Sequence, residues 1–144
     1  MLKTACIHPE IIKVLASCGH GDKVLITDGN YPVDSNVNEK TKVTYLNLTH
    51  GIPLVTEVLE VFIKTINIEK VEVMMPDSGE EPAIFGDFRA ITGLELSSLR
   101  RFEFYNECKK NNIKLAVATG EQRTYANILL TVGVVQNKSI SAEE

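Results

Sequence analysis

A histidine between two glycines is the side chain in this sequence best suited to moving a proton. His20 follows an apolar segment and precedes a strand-like run, residues 23–28, that ends on Asp28. The flanking glycines leave the imidazole uncrowded, and imidazole can give and take protons near neutral pH. If the protein is an enzyme, we expect its chemistry at His20 with Asp28 beside it. A loop histidine that only bonds to the backbone fits the spacing equally well.

Other polar residues stand where apolar strands end. Residues 119–127 form a polar run between two apolar segments, which could present Tyr125 and Asn127 to a polyhydroxylated ligand; a surface hairpin is the alternative. Asp28 could contact the same ligand or simply start an Asx turn. Arg100 and Arg101 stand at a predicted helix start and could be a solvated pair, but two cations there oppose the helix dipole, which hints that at least one of them has another role.

The sequence predicts no metal and no nucleotide cofactor. His8, His20 and His50 lack metal-ligand spacing, and no CxxC lies near them. Neither GxGxxG nor the Walker pattern occurs. Cys18 could serve as a thiol nucleophile, but a buried structural cysteine is the commoner case.

Composition indicates an ordinary globular protein. The chain has 144 residues with 44% hydrophobic and 24% charged residues, and its net charge of −4 argues against a nucleic-acid surface. No uncharged apolar run reaches membrane-spanning length, and the N-terminus lacks a signal-peptide pattern. Three widely spaced cysteines predict reduced thiols and a cytoplasmic location.

Apolar periodicity predicts alternating helices and strands in an α/β fold. We expect one three-layer α/β/α domain over residues 1–136, with a mostly parallel central sheet, and a polar tail over 137–144. The predicted strands are residues 23–28, 43–48, 71–75, 96–99, 114–119 and 125–135. Four helices are predicted. The first begins at Pro9 and is followed by Gly19, and the second has Pro53 in its first turn. The third begins near Glu81 and the fourth at Arg101. Ligands of such sheets bind beyond the carboxyl ends of strands, so Asp28 and residues 119–121 are expected to share a pocket.

Four segments together resemble the family of fucose mutarotases and ribose pyranases. They are LASCGHGD (15–22), Asp28 with Pro32 beyond it, LRRFEFY (99–105) and TGEQRTYANILLTVG (119–133). The first is weak alone, whereas the combination in this order is specific. The similarity spans roughly residues 1–136. The chain departs from the fucose enzymes after Asp28, where a histidine is expected in place of Asn30 or Tyr31.

The resemblance implies a cofactor-free isomerase acting on the ring forms of a reducing sugar. It implies His20 as proton donor and a ring-shaped homo-decamer with sites at subunit boundaries. The implied sugar-binding residues are Asp28, Arg101, Tyr125, Ala126 and Asn127. Arg101 fits the fucose branch, because the ribose branch carries histidine there, so L-fucose is the expected substrate. D-ribose pyranase is the alternative, as is a non-catalytic sugar-binding protein; a ligand-free assembly protein explains the polar strand ends less well.

Overall fold

A computed structural model describes residues 1–136 and shows a mixed α/β fold. Its ten elements alternate much as the periodicity predicts. They are α1 (Pro9–Ser17), β1 (Lys23–Thr27), β2 (Lys42–Tyr45), α2 (Val55–Ile63), β3 (Ile68–Met74), α3 (Ile84–Thr92), β4 (Leu96–Leu99), α4 (Arg101–Cys108), β5 (Ile113–Ala118) and β6 (Ile128–Val132). The predicted polar tail, 137–144, lies outside the described residues.

The strands form one six-stranded sheet in the order β2-β5-β1-β6-β3-β4. The pairs β1·β5, β2·β5 and β3·β4 are parallel. Strand β6 runs antiparallel to both of its neighbours, β1 and β3. The expectation of a mostly parallel sheet is therefore confirmed. The antiparallel β6 begins at the edge where β1 and β3 end, so residues just before β6 join the carboxyl ends of those two strands.

Helices cover both faces of the sheet, which gives the three predicted layers. Val24 and Ile26 of β1 pack into a core with α1, α2 and α3. Leu25, between them, points the other way into a core with α4 and the loop after β1. Because both faces are buried, β1 is apolar without alternation, as expected of a central strand. None of the helices within residues 1–136 is long and apolar enough to cross a membrane.

Two predicted boundaries are wrong for identifiable physical reasons. Helix α2 starts at Val55, so Pro53 precedes the helix instead of lying in its first turn. The carbonyl of Pro53 accepts a hydrogen bond from the N–H of Gly120 at 3.0 Å, which ties this segment to the loop after β5. A Cβ on Gly120 would lie 2.2 Å from the Thr49 carbonyl oxygen, so only glycine fits this approach.

Strand β6 is shorter than predicted because its approach is not extended. The predicted strand begins at Tyr125, but that residue has a φ of 59°, in the left-handed region. Asn127, two residues later, uses its side chain to bond the end of β1. Apolar content alone could not predict this turn. Of the two glycines around His20, only Gly21 has positive φ, at 89°, so Gly19 follows α1 without a left-handed cap.

Candidate functional site

Asp28 is a buried carboxylate at the carboxyl end of β1. It is 3% exposed. Its Oδ1 accepts hydrogen bonds from the N–H groups of Asn30 and Tyr31, each at 2.9 Å, which is the Asx turn considered above. Burial raises the pKa of Asp28, while N–H groups of Asn30, Tyr31 and Ala126 and the Asn127 side chain act in the opposite direction. The turn leaves Oδ2 on the side of Asn127.

Residues 125–127 approach Asp28 from the start of β6. The side chain of Asn127 accepts the Asp28 N–H at 2.8 Å and donates to Oδ2 at 3.3 Å. Ala126 is fully buried, and its backbone N–H faces the same carboxylate. The segment is thus fixed against β1 by three polar contacts, and the left-handed turn at Tyr125 is held between them and α4.

Arg101 closes the other side of this site from the first turn of α4. Its Nη2 donates to the Tyr125 hydroxyl at 3.0 Å. Strands β3 and β4 are parallel neighbours, and the short step from Leu99 to Arg101 places the start of α4 at the edge where β3 ends. Four predicted site residues thereby come together from three separate parts of the chain: Asp28, Arg101, Tyr125 and Asn127.

These four side chains line one cavity of about 200 Å³. Its other lining residues are Asn30, Tyr31, Met74, Tyr105 and Thr124. Sites for drug-sized ligands are roughly 300–1,000 Å³, so this cavity suits a smaller molecule. One carboxylate, one guanidinium, an amide and phenolic hydroxyls are groups that bind a polyhydroxylated ligand.

Two further cavities adjoin the same turn. Asp28 and Thr119 line one of about 280 Å³, so the expected sharing between the ends of β1 and β5 is confirmed for these two residues. Gly120 and Glu121 instead line a larger cavity of about 540 Å³, together with Gly29. That cavity contains none of the predicted sugar-binding side chains. The smaller cavity around Arg101 is therefore the better candidate site.

His20 does not lie beside Asp28 within one chain, so that expectation is wrong. His20 precedes β1 and Asp28 follows it, and a five-residue strand separates them by more than about 15 Å. The side chain of His20 is 60% exposed, and its Nε2 lies 2.9 Å and 3.1 Å from the two carboxylate oxygens of Glu69. Asp22 stabilises the loop, since its Oδ2 accepts the Gly19 N–H at 2.8 Å.

Sequence reasoning did not single out Glu69, which contacts His20, or Met74 and Tyr105, which line the cavity around Arg101. Glu69 lies near the start of β3, far in sequence from His20, and no local spacing links the two. Met74 is the last residue of β3, and its sequence context does not distinguish it from a buried core methionine. Tyr105 follows Arg101 by four residues, which puts both on one face of α4 and is a usable signal.

Two other kinds of chemistry, metal binding and thiol attack, depend on candidate metal ligands within residues 1–136 and on the Cys18 thiol. No group of three or more His, Cys, Asp or Glu side chains within residues 1–136 is placed to hold a metal ion. Cys18 is half-buried, and burial, followed by the charge of Asp22, raises its thiol pKa to about 11. A thiol with that pKa is protonated near neutrality and is a poor nucleophile.

The fold and the geometry together define a small, polar ligand site at the carboxyl edge of a mostly parallel sheet. The chain itself belongs to the RbsD / FucU transport protein family, whose model matches residues 1–135. The D-ribose pyranase of Variovorax paradoxus (strain S110) is 32% identical over 136 residues, covering 93% of this chain and 98% of its own. The D-ribose pyranase of Thermosipho africanus (strain TCF52B) is 31% identical over 138 residues, covering 94% and 99%.

Two solved structures share the fold over almost the whole chain. Bacillus subtilis RbsD, complexed with D-ribose, gives a TM-score of 0.82 at 26% identity and covers 94% of this chain and 100% of its own. The fucose mutarotase of Streptococcus pneumoniae, in complex with L-fucose, gives 0.79 at 30% identity with 94% and 100% coverage. The resemblance drawn from the sequence is confirmed for the family as a whole. The fucose branch is not singled out, since both curated relatives described above carry the ribose name.

Proposed function

We propose that this protein is a cofactor-free monosaccharide mutarotase that prefers L-fucose. The observation that carries the proposal is the meeting of Asp28, Asn127, Arg101 and Tyr125 around one small cavity in a chain of this family. The cavity is lined by hydrogen-bonding groups that include a carboxylate and a guanidinium, so the hydroxyls of a sugar can be held in one orientation. A deeply buried Asp28 is fixed by its neighbours and is preorganised for that task.

Mutarotation needs only proton transfers and one rotation. A proton delivered to the ring oxygen and the loss of the anomeric hydroxyl proton open the hemiacetal to an aldehyde. Rotation about the C1–C2 bond and the reverse transfers close the ring on the other face. No electron leaves the sugar, and the protons balance over the cycle. Positioned acid–base groups contribute roughly 10²–10⁴-fold each, which suffices for a reaction that also proceeds unaided in water. Activity should therefore survive exhaustive dialysis against a chelator.

His20 is the proposed proton donor, and it must reach the sugar from a second copy of the chain. Within one copy it lies at the opposite end of β1 from Asp28. Its exposed side chain is available to a neighbouring molecule. A site built from two copies agrees with the ring-shaped decamer that the resemblance implies. Sedimentation should show a large assembly, and an active monomer at micromolar concentration would contradict the shared site.

Glu69 is proposed to orient the His20 ring. The contact between Nε2 and the Glu69 carboxylate leaves Nδ1 to carry the transferred proton. Arg101 supports L-fucose over D-ribose, because guanidinium offers a rigid fork of donors that can hold two sugar oxygens at once. D-ribose pyranase remains the second candidate, because it is the name of both curated relatives described above.

NMR measurement of anomer exchange tests the proposal directly. With L-fucose and D-ribose as substrates, we expect faster exchange of L-fucose, loss of exchange in His20→Ala, and a ribose-to-fucose ratio raised by Arg101→His. Retained secondary structure by circular dichroism is the control for each variant. Faster exchange of D-ribose than of L-fucose by the wild-type protein would instead assign the protein to the ribose branch. Saturable sugar binding without exchange would identify a non-catalytic sugar-binding protein.

A further inference from the structure

The cavity around Arg101 is lined by both polar and apolar groups. Asp28, Asn127 and the Arg101 guanidinium provide charges and hydrogen bonds. Met74 contributes a thioether to the same lining, and Tyr105 contributes an aromatic ring. A thioether is at best a weak acceptor and no donor. A ligand bound in this cavity would therefore contact a surface that favours an alkyl group, in a site otherwise suited to hydroxyls.

We propose that Met74, backed by the ring of Tyr105, is the specificity wall that receives the C5 methyl group of a 6-deoxy sugar and disfavours a hydroxymethyl group there. The inference rests on the proposed mutarotase function and adds the residue that selects the substrate class. A methyl group would replace water against Met74. A hydroxymethyl group would bring its hydroxyl against the Met74 thioether, which offers no donor and only a weak acceptor, and buried polar groups without partners are costly.

Packing holds this wall in place. Met74 is the last residue of β3, pairs in register with Leu99 of β4, and is only 4% exposed. Its side chain belongs to the core beneath α4, which includes Phe104 and Leu129. Such a side chain has few alternative positions, so the wall cannot easily retreat from a larger substituent.

Contacts with two other aromatic rings position the half-buried Tyr105 ring. It meets the ring of Tyr31 edge-on with centroids 5.5 Å apart, and the ring of Phe102 at 6.2 Å. Because Tyr105 follows Arg101 by one helical turn, α4 presents the guanidinium and the ring to the same cavity. The spacing between the Arg101 guanidinium and the Tyr105 ring is thus set by one helix.

Three sugars isolate the contribution of the C5 substituent. L-fucose, L-galactose and D-arabinose in their pyranose forms share the configuration of the ring hydroxyls and carry a methyl, a hydroxymethyl and a hydrogen, respectively. We expect kcat/KM for anomer exchange to be highest for L-fucose and roughly 10-fold or more lower for the other two, the usual scale of discrimination by an apolar contact. Equal or faster exchange of L-galactose by the wild-type protein would overturn the inference.

The matched variants are Met74→Gln and Met75→Gln. Glutamine resembles methionine in length but ends in a polar amide, and Met75 packs in the core on the opposite face of the sheet. Met74→Gln should narrow the L-fucose to L-galactose ratio several-fold, and Met75→Gln should leave it unchanged. An unchanged ratio in a folded Met74→Gln overturns the inference; if that variant does not fold, the wild-type sugar series decides. Exchange of none of the three sugars contradicts the proposed function itself, whereas exchange without preference contradicts only the wall.

Discussion

Asn127 bonds both the backbone and the side chain of Asp28. Its Oδ1 accepts the Asp28 N–H at 2.8 Å, and its Nδ2 donates to Asp28 Oδ2 at 3.3 Å. Among the common side chains, an amide can satisfy a donor and an acceptor side by side in this way. One residue at the start of β6 therefore fixes the carboxylate at the end of β1, and with it the shape of the proposed sugar site.

The first prediction concerns Asn127→Asp. The change removes the donor and places a second carboxyl group against Asp28, whose pKa is already raised by burial. We expect anomer exchange at about pH 7.5 to fall roughly 10- to 100-fold, the scale of a hydrogen bond to a charged group. Exchange should partly recover at about pH 5, where a proton shared by the two carboxyl groups restores a donor. Asn106→Asp, at an exposed position on α4, is the control, and wild-type rates at both pH values would contradict the prediction.

The separation of His20 from Asp28 gives a complementation experiment. His20→Ala and Asp28→Asn should each be inactive alone, since each lacks one half of every site. When the two are co-expressed, copies can associate so that an intact His20 meets an intact Asp28. Up to about a quarter of the sites in a randomly mixed assembly would then be complete. Activity restored by mixing supports sites shared between copies, and a mixture as inactive as its parts argues for a site within one chain.

Glu69→Ala should separate binding from catalysis. The Glu69 carboxylate holds Nε2 of His20 near the start of β3, at the opposite end of the strand from Met74 of the proposed sugar cavity. Loss of this contact frees the imidazole to rotate, and misorientation of a reacting group can cost up to about 100-fold in rate. We expect kcat for anomer exchange to fall while KM changes little. Lys70→Ala, at the exposed neighbouring position of β3, is the matched control; an equal loss there would mean that the effect comes from the strand and not from His20.

The sequence was informative where chemistry and periodicity coincide. Apolar runs predicted β1 and β5 to within a residue or two, and the polar residues singled out near strand ends include Asp28 and Asn127, which the structure brings into contact. Local patterns could not predict the contact between His20 and Glu69, because a separation of 49 residues is bridged only by the sheet. They also placed His20 beside Asp28, since adjacency in sequence hides the fact that a strand carries its two ends apart.

The last prediction concerns a buried ion cluster beneath α4. Lys23 Nζ lies 2.6 Å from Glu72 and 2.7 Å from Glu107, and Lys110 bonds the second oxygen of Glu107 at 2.6 Å. Burial alone would raise the pKa of Glu107, but hydrogen bonds from Lys110 and Lys23 hold it below its ordinary value of 4.5. The carboxylate is therefore stabilised more in the folded chain than in the unfolded one.

The direction of the Glu107 pKa shift determines how its contribution to stability changes with pH. A folded-state pKa below the unfolded value means that the contribution of Glu107 is fully present above about pH 4.5 and is lost as the pH falls through the folded-state pKa. Glu107→Gln should thus lower the free energy of unfolding by about 2 kcal/mol at neutral pH, and the difference from wild type should shrink below about pH 4.5. Urea denaturation across that range at one fixed protein concentration measures it, with Glu39→Gln, at an exposed loop position, as the control. A difference that stays constant down to about pH 3 would show that the Glu107→Gln variant loses packing, not charge pairing.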